Sequence, residues 1–489
     1  MQINCLNNHL NVQKDVVIIT APLTDTAIPL MAPAALKPIV EHAGLSCLAV
    51  DLNAEIYKLV REHPLQDDLV RFFFEDYTTE ETEIWFQDLF YSITQQILSY
   101  KPKVVCISVF SYVCQTATKW LSYYIKKHAP DVEIYIGGAG CLNTFTGSSK
   151  FVDELLESGL VNYHVRGDGE HSLYELLTGN NKFPGINSLT WQEMTNEELA
   201  KIPMPDYDDY DFSVYEKRVL PLLGSRGCVR QCTFCDYIAN WKKFQWRTAD
   251  DIFAEILTQY QRYGITNFKF QDSLTNGNQK EFRSLCELLA EYNNANTINF
   301  KWSGYYIFRE WSNTSLRDWE LIYQSGAENL MVGIENLNQD IRFAIGKKFS
   351  DEAIDLHIEQ AYKYGINLQL LNIVGYINET EDHIVYIKQW LVDHVKYKNM
   401  LYLQWGGTLG IFPNTYLEQN KEKLGIIMIG TQPQSWINND VNSTPELRAS
   451  WAKELNEYSS QLGYSVADNI DNHYLLETLI NALYSRFNI

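Results

Sequence analysis

Three thiols lie within eight residues of one another in the middle of this 489-residue chain. Cys228, Cys232 and Cys235 form the pattern C-x3-C-x2-C. Thiolates are the usual ligands of iron–sulfur clusters, and three of them can bind three irons of a [4Fe-4S] cube, which leaves the fourth iron open to a small molecule. A structural site would close with a fourth Cys or His, yet the next cysteine is Cys286 and no His occurs between 172 and 356. The pattern therefore predicts a cluster that takes part in chemistry.

A zinc knuckle or a chance group of buried cysteines is the alternative interpretation. Zinc motifs normally show paired C-x2-C or Cys/His halves, and this segment has one C-x2-C half, Cys232 and Cys235, without a second. The other six cysteines lack any regular spacing and are expected to be buried free thiols in a reducing compartment. They are Cys5, Cys47, Cys106, Cys114, Cys141 and Cys286.

Composition favours a cytoplasmic enzyme of two or three domains. Hydrophobic residues make up 46% and charged residues 21% of the chain, as in globular proteins. The N-terminus lacks the basic and apolar regions of a signal peptide, and no apolar run approaches the ~18 residues of a membrane span. A formal charge of −21 would repel nucleic acid, so a nucleic-acid substrate is disfavoured.

The chain must position the cysteines with two successive sets of alternating strands and helices. The first set predicts a doubly wound parallel sheet, an α/β fold in which ligands bind beyond the carboxyl ends of the strands. Its predicted strands are Val16–Thr20, Leu45–Val50, Val104–Val109, Glu133–Ile136 and Tyr163–Val165. Its predicted helices are Ala32–Ala43, Glu81–Leu98, Thr116–His128 and Lys150–Ser158.

The second set predicts a partial barrel whose first strand leads directly into the cysteines. Parallel barrels present functional residues at the carboxyl ends of their strands, so the cluster is expected at the barrel mouth. The predicted strands are Val219–Leu223, Asn267–Gln271, Phe300–Ser303, Asn329–Ile334, Leu368–Val374 and Leu401–Trp405. The sequence thus predicts an α/β domain (1–195), a Pro- and Tyr-containing linker (196–215), a partial (β/α)6 barrel (216–412) and a mostly helical extension (413–489), with helices at Thr444–Leu462 and Asn472–Phe487.

The cysteine motif resembles the signature of the radical S-adenosylmethionine (SAM) family, including the aromatic Phe234 before the last cysteine. The resemblance implies that SAM binds the open iron and that one electron from the reduced cluster cleaves it to methionine and a 5′-deoxyadenosyl radical. It also implies that Glu335 accepts hydrogen bonds from SAM and that Gly375 lets the adenine approach the backbone. Asp272 stands where relatives carry an acidic pair, and Arg309 is placed to meet the SAM carboxylate. Each of these charged residues could instead belong to a surface salt bridge.

The N-terminal part resembles the cobalamin-binding domain that precedes many radical SAM domains. Ser108, followed by Val and Phe, and the pair Gly137 and Gly138 match residues of that family's cofactor loops. The Pro22–Pro33 loop contains no His and so lacks the Asp-x-His-x-x-Gly motif of cobalamin proteins that replace the lower axial base, an absence shared by many radical SAM relatives. The resemblance therefore implies cobalamin without a histidine lower ligand, or a relic domain that no longer binds the cofactor.

Taken together, the motifs predict a cobalamin-dependent radical SAM enzyme that methylates an unactivated carbon of a small-molecule or peptide substrate. A reductant such as flavodoxin or ferredoxin is the implied partner. The second hypothesis is a radical SAM oxidative cyclase or rearrangement enzyme, with or without cobalamin. A third is a non-catalytic corrinoid-binding sensor.

Overall fold

The computed structural model describes residues 3–6, 12–24, 27–142, 148–188, 190–310 and 316–466. The predicted helix Asn472–Phe487 and part of the Pro22–Pro33 loop lie outside these residues. By its internal contacts the chain divides into two compact units, Met1–Pro221 and Leu222–Ile489. None of the helices described is long and apolar enough to cross a membrane.

The first unit is built on a five-stranded parallel sheet with the order β2-β1-β3-β4-β5. Its strands are β1 Val16–Thr20, β2 Cys47–Val50, β3 Val104–Ser108, β4 Glu133–Gly137 and β5 Tyr163–Val165. Its helices are α1 Met31–His42, α2 Leu52–Arg61, α3 Gln66–Glu75, α4 Glu80–Ser99, α5 Gln115–His128, α6 Lys150–Glu157, α7 Gly169–Leu177 and α8 Asn196–Leu199. All residues of β1 and β2 are buried, as expected for strands covered on both faces. The predicted doubly wound α/β fold is confirmed.

The strand order places a topological switch point between β1 and β3. The chain leaves β1 toward β2 on one side and later returns to β3 on the other side. In such sheets the loops after the two strands diverge and leave a crevice where ligands bind. The loops that follow β1 and β3 are therefore the candidate binding loops of this unit.

The predicted linker is bound to the first unit by buried polar contacts. The Nζ of Lys37 on α1 lies 3.1 Å from Asp206 and 2.8 Å from Asp209, and all three side chains are largely buried. The hydroxyl of Tyr215 donates to Asp51 at 2.9 Å. Residues 196–215 are thus part of the first unit, and the division into units falls within the next strand, β6 Val219–Leu222.

The second unit contains a seven-stranded sheet with the order β16-β13-β12-β11-β10-β9-β6. After β6 come β7 Ser225–Arg226, β8 Gln245–Trp246, β9 Asn267–Phe270, β10 Lys301–Tyr306, β11 Ala327–Glu335, β12 Asn367–Val374, β13 Leu401–Thr408, β14 Ile427–Met428, β15 Trp436–Ile437 and β16 Ser465–Val466. The pairings from β9 to β13 and on to β16 are parallel. All six predicted strands are present, and β16 extends the sheet at the β13 edge.

Helices separate the parallel strands of this sheet. They are α9 Tyr237–Asn240, α10 Ala249–Tyr263, α11 Gln279–Ala295, α12 Leu316–Gln324, α13 Gln339–Ile345, α14 Asp351–Tyr364, α15 Glu381–Asp393, α16 Tyr416–Gln419 and α17 Pro445–Gln461. Helix α10 begins after Thr248, whose hydroxyl accepts a hydrogen bond from the amide of Asp251 at 3.2 Å. It ends at Gly264, whose φ of 63° is left-handed.

Candidate functional site

The cysteine loop is anchored by a short antiparallel ladder between β7 and β8. Ser225 pairs with Trp246 and Arg226 with Gln245. At the end of this ladder, Gly227 has a φ of 78°, and a Cβ there would lie 2.1 Å from the backbone oxygen of Lys243. Only glycine fits such a close approach of two backbones. Cys228 follows directly, so the ladder fixes where the thiol loop starts.

Asp272 fixes the strand that leads into this loop. Its carboxylate accepts the amide of Gly224 at 2.7 Å and the hydroxyl of Ser225 at 2.9 Å. Burial raises the pKa of Asp272 to about 7. One carboxylate oxygen of Asp272 therefore bonds Gly224 and the other bonds Ser225, the residues that lead into the cysteine loop. The predicted SAM contact of Asp272 stays a prediction.

The three thiols belong to one loop but have different surroundings. Cys232 is buried, whereas Cys228 and Cys235 are half-buried. Burial raises the pKa of Cys232 to about 11, and the charge of Lys347 opposes that rise. The amide of Arg230 donates to the Cys228 sulfur at 3.4 Å, and the amides of Tyr237 and Ile238 bond to Cys235. These contacts favour the thiolate forms that bind metal.

The donor set of the loop fits an iron–sulfur cluster. Among the described residues, no three His, Cys, Asp or Glu side chains stand in an arrangement that would hold a single metal ion. Each iron of a cube takes one thiolate, so the three sulfurs need not converge on one point. Phe234 packs with Cys235 against the apolar cluster around Cys232, Ile345 and Tyr376, which shields one side of the loop.

Glu335 lies at the end of β11 in an ion pair with Lys347. The Glu335 Oε1 is 3.0 Å from the Lys347 Nζ, and both side chains are largely buried, 12% and 8% exposed. Glu335 has a left-handed φ of 64°, and the pairing of β11 with β12 shifts register between Gly333 and Glu335. A strained residue held by its surroundings is frequent at functional sites. The sequence identified Glu335 but not the buried partner Lys347.

Two arginines lie near each other beside the cysteine loop. Burial and the charge of Arg230 both lower the pKa of Arg309. Arg309 donates through Nη2 to the backbone oxygens of Asn276 and Gly277 at 3.0 and 3.2 Å. The Nε atoms of Arg230 and Arg309 are buried and have no hydrogen-bond partner among the described residues. Two unsatisfied cationic donors could bind an anion. Arg230 lies within the cysteine motif, but the sequence pattern alone did not identify it as a candidate site residue.

Gly375 directly follows β12 and is in tight contact with α17. Its φ is 81°, and a Cβ would lie 2.1 Å from the Cδ of Arg448. Its amide donates to the buried carboxylate of Glu379 at 2.5 Å. The packing of Arg448 therefore already requires glycine at this position. The adenine contact predicted for Gly375 stays a prediction.

The candidate cobalamin residues lie at the carboxyl edge of the sheet in the first unit. Ser108 ends β3 half-buried, and Phe110 beyond it is 54% exposed. Gly138 has a φ of 112°, and a Cβ there would lie 2.5 Å from the backbone oxygen of Val109. Gly137 differs, because a Cβ would meet only Val165 at ordinary contact distance. The β3 and β4 loops contact each other, because the amide of Val109 donates to Gly137 at 2.8 Å and the amide of Gly140 donates to Val109 at 2.9 Å. They lie at the edge where ligands bind in such sheets, and the cobalamin contact of these residues stays a prediction.

Comparison with protein families identifies the second unit. Residues 222–391 match the family described as the Radical SAM superfamily, and this part of the chain is therefore a radical SAM domain. The chain is 20% identical over 337 residues to the anaerobic magnesium-protoporphyrin IX monomethyl ester cyclase of Synechocystis, which covers 64% of this chain and 60% of the relative. It is 27% identical over 195 residues to the cytidylyl-2-hydroxyethylphosphonate methyltransferase of Streptomyces wedmorensis, which covers 36% of this chain and 35% of the relative. The chain thus spans about a third to three fifths of these relatives.

Solved structures with the same architecture match both units of this chain. The radical SAM methyltransferase TsrM from Kitasatospora setae, solved with tryptophan substrate and a SAM analogue, matches 96% of this chain and 99% of its own with a TM-score of 0.61 and 13% identity. The cobalamin-dependent SAM radical enzyme OxsB, solved with aqua-cobalamin, matches 97% of this chain and 71% of its own with a TM-score of 0.62 and 15% identity. At these identities the likeness establishes the fold. A parallel-sheet unit followed by a radical SAM domain is confirmed.

Proposed function

We propose that this protein is a cobalamin-dependent radical SAM enzyme that methylates an unactivated carbon. The observation that carries the proposal is the loop of Cys228, Cys232 and Cys235, which leaves the first strand of a radical SAM domain and follows a doubly wound unit. When bound, a [4Fe-4S] cluster and SAM supply one-electron cleavage of SAM, and cobalamin supplies a transferable methyl group. The protein supplies binding, orientation and exclusion of water.

The residues of the second unit have separable tasks in this proposal. The three cysteines would bind three irons, and Asp272 holds the start of their loop through Gly224 and Ser225. The buried Nε donors of Arg230 and Arg309 would bind the carboxylate of SAM. Glu335, oriented by its ion pair, would accept hydrogen bonds from SAM.

The first unit would bind cobalamin at its switch point. Ser108 and Phe110 follow β3, and Gly138 allows the next loop to approach Val109 closely. The exposed ring of Phe110 is suited to contact with a flat macrocycle. The β1 loop contains no His, so the lower face of the cobalamin would meet no imidazole. Solved structures of the same fold that contain cobalamin support this part of the proposal.

An oxidative cyclase is the second candidate function. The alignment with the magnesium-protoporphyrin IX monomethyl ester cyclase of Synechocystis spans 64% of this chain, more than the alignment with the phosphonate methyltransferase. The two functions differ in the fate of SAM. Methylation consumes a SAM methyl group and leaves S-adenosylhomocysteine, whereas cyclisation without methyl transfer does not.

Anaerobic purification with cobalamin supplied provides the test. We expect a visible cluster absorption together with stoichiometric corrinoid bands, and S-adenosylhomocysteine formation that depends on cobalamin when a low-potential reductant and SAM are added. Cluster absorption without corrinoid would contradict the methyltransferase proposal and favour cobalamin-free radical chemistry. Protein without iron after anaerobic reconstitution would contradict both functions.

A further inference from the structure

The loop between α13 and α14 is bonded to the cysteine loop. The amide of Thr233, which lies between Cys232 and Cys235 in sequence, donates to the backbone oxygen of Ile345 at 3.0 Å. A Cβ on Gly346, which has a φ of 103°, would lie 3.1 Å from the backbone oxygen of Gln231. These contacts hold the residue after Gly346 beside the thiols.

That residue is Lys347, whose ammonium group is buried. Its side chain is 8% exposed and its Nζ is 3.0 Å from Glu335. Burial lowers the pKa of Lys347, but the negative charges of the Glu335 carboxylate and of the Cys232 and Cys228 thiolates raise it, and the net shift is upward. Gly333 provides the space, because a Cβ there would lie 3.0 Å from the Lys347 Nζ and 2.7 Å from Glu335. A buried charge is retained where it is paired, and here the pair faces the cysteine loop.

We propose that Lys347 is a positioning residue that makes a cluster on Cys228, Cys232 and Cys235 easier to reduce, with Glu335 as its tether and its opposing charge. The inference rests on the proposed function. An electron delivered by an external one-electron donor adds one negative charge to the cluster, and a buried ammonium nearby stabilises that charge. The carboxylate of Glu335, whose Oε1 is 3.0 Å from the Lys347 Nζ, carries the opposite charge and acts in the opposite direction.

The test is the midpoint potential of the cluster in the reconstituted full-length protein without SAM, measured by redox titration with electron paramagnetic resonance. In Lys347→Met, the unpaired Glu335 remains, so the potential is expected to become more negative. We expect at least a tenfold lower ratio of reduced to oxidised cluster at a fixed potential, a shift of about 59 mV for one electron. In Glu335→Gln the unpaired Lys347 remains, and the potential is expected to become more positive.

The neighbouring lysine provides the matched control. Lys348 is exposed, so Lys348→Met makes the same chemical change one residue away and is expected to leave the potential unchanged. The double variant Lys347→Met/Glu335→Gln removes both charges and is expected to lie closer to the wild type than either single variant. Iron and sulfide content are measured in every sample.

Opposite shifts in the two single variants would support the electrostatic role of Lys347. An unchanged potential in Lys347→Met with full iron content would overturn it. Shifts of both variants in the same direction would also overturn it, because only an electrostatic effect reverses its direction when the opposite charge is removed. If Lys347→Met fails to bind iron, the midpoint potential of Glu335→Gln becomes the test, and a potential that is not more positive than that of the wild type would overturn the inference. Loss of iron in both variants would overturn it as well. Failure of the wild type to bind a cluster would instead contradict the proposed function itself.

Discussion

At the scale of single residues, the site depends on charged groups that are buried and bonded to backbone or to each other. Asp272 bonds to two groups of the strand that leads into the cysteines, and Lys347 bonds to Glu335. Arg230 and Arg309 differ, because each retains a buried Nε without a partner among the described residues. Satisfied groups build the loop, whereas the two unsatisfied donors are available to a ligand.

The carboxyl of Asp272 gives a prediction about pH. Its pKa of about 7 exceeds the 3.8 of an ordinary Asp because of burial. A group whose pKa is higher in the folded state contributes stability that is complete below about pH 4 and is lost as the pH rises through 7. Each pKa unit corresponds to about 1.4 kcal/mol, so the free energy of unfolding should fall by roughly a few kcal/mol across this window.

The variant Asp272→Asn cannot ionise and should remove most of that pH dependence. Urea unfolding of the iron-free protein at pH 5 and pH 8 measures it, with the exposed Asp250→Asn on α10 as control. The same fall in stability from pH 5 to pH 8 in Asp272→Asn and in the wild type would contradict the assignment.

At the scale of elements, short contacts between backbones decide where the functional loops lie. The β7–β8 ladder approaches so closely at Gly227 that no side chain fits. The stem of Arg448 on α17 covers Gly375 at the end of β12, and its guanidinium lies 3.7 Å from the ring centre of Trp436. Each contact joins a segment from elsewhere in the chain to the carboxyl edge of the sheet.

Replacing Gly227 by Ala should disrupt the cysteine loop. The new Cβ would lie 2.1 Å from the Lys243 backbone oxygen, so the ladder must separate, and we expect loss of most cluster iron after reconstitution. Gly264→Ala is the matched control, because Gly264 also has a positive φ of 63° but has no atom within 4 Å of the added Cβ. It should cost about 1 kcal/mol of stability and retain iron. Equal iron contents would show that the ladder does not position the thiols.

The segment 196–215 gives a prediction of the same kind for the first unit. Lys37→Met would leave Asp206 and Asp209 without their buried counterion, and breaking such a pair typically costs about 3–5 kcal/mol. We expect this loss in the chemical denaturation of the protein, together with faster proteolysis within 196–215. Lys58 on α2 is exposed, so Lys58→Met should change neither the free energy of unfolding nor the rate of proteolysis. An equal effect in both variants would contradict the anchoring role of Lys37.

At the scale of the whole molecule, the loops proposed to bind the two cofactors belong to different compact units. The cysteine loop, Glu335 and Lys347 all belong to the second unit, whereas Ser108, Gly137 and Gly138 belong to the first. Binding of the two cofactors should therefore be separable by mutation.

Paired variants test this separation. Cys228→Ala is expected to abolish SAM cleavage and most bound iron but to retain cobalamin. Gly138→Ala, whose Cβ would lie 2.5 Å from the Val109 backbone oxygen, is expected to lose at least tenfold in cobalamin affinity and to retain iron. Iron analysis and corrinoid absorption measure both. Loss of both cofactors in both variants would show that the units do not bind them separately.

The sequence alone determined the elements and the chemistry of the thiols. Buried parallel strands are short apolar runs, so β1 and β5 could be predicted to the residue and β6 and β9–β13 to within three residues at each end, whereas the two-residue β16 was not predicted. The spacing of Cys228, Cys232 and Cys235 predicted an open cluster because the identity and number of ligands are local properties. Amphipathic α2 and α3 were missed, since their apolar positions lie in a polar stretch.

Only the tertiary structure decided which partner each functional side chain has. Lys347 and Lys348 are chemically identical neighbours, yet one is buried against Glu335 and the other is exposed. The sequence likewise could not tell that Asp272 bonds to the cysteine strand, or that Gly375 is required by Arg448 from a helix some 70 residues later. Burial and hydrogen-bond partners depend on segments that are distant in the chain and come together only on folding. Local spacing therefore specified the kind of chemistry, while the fold set the electrostatic environment in which that chemistry takes place.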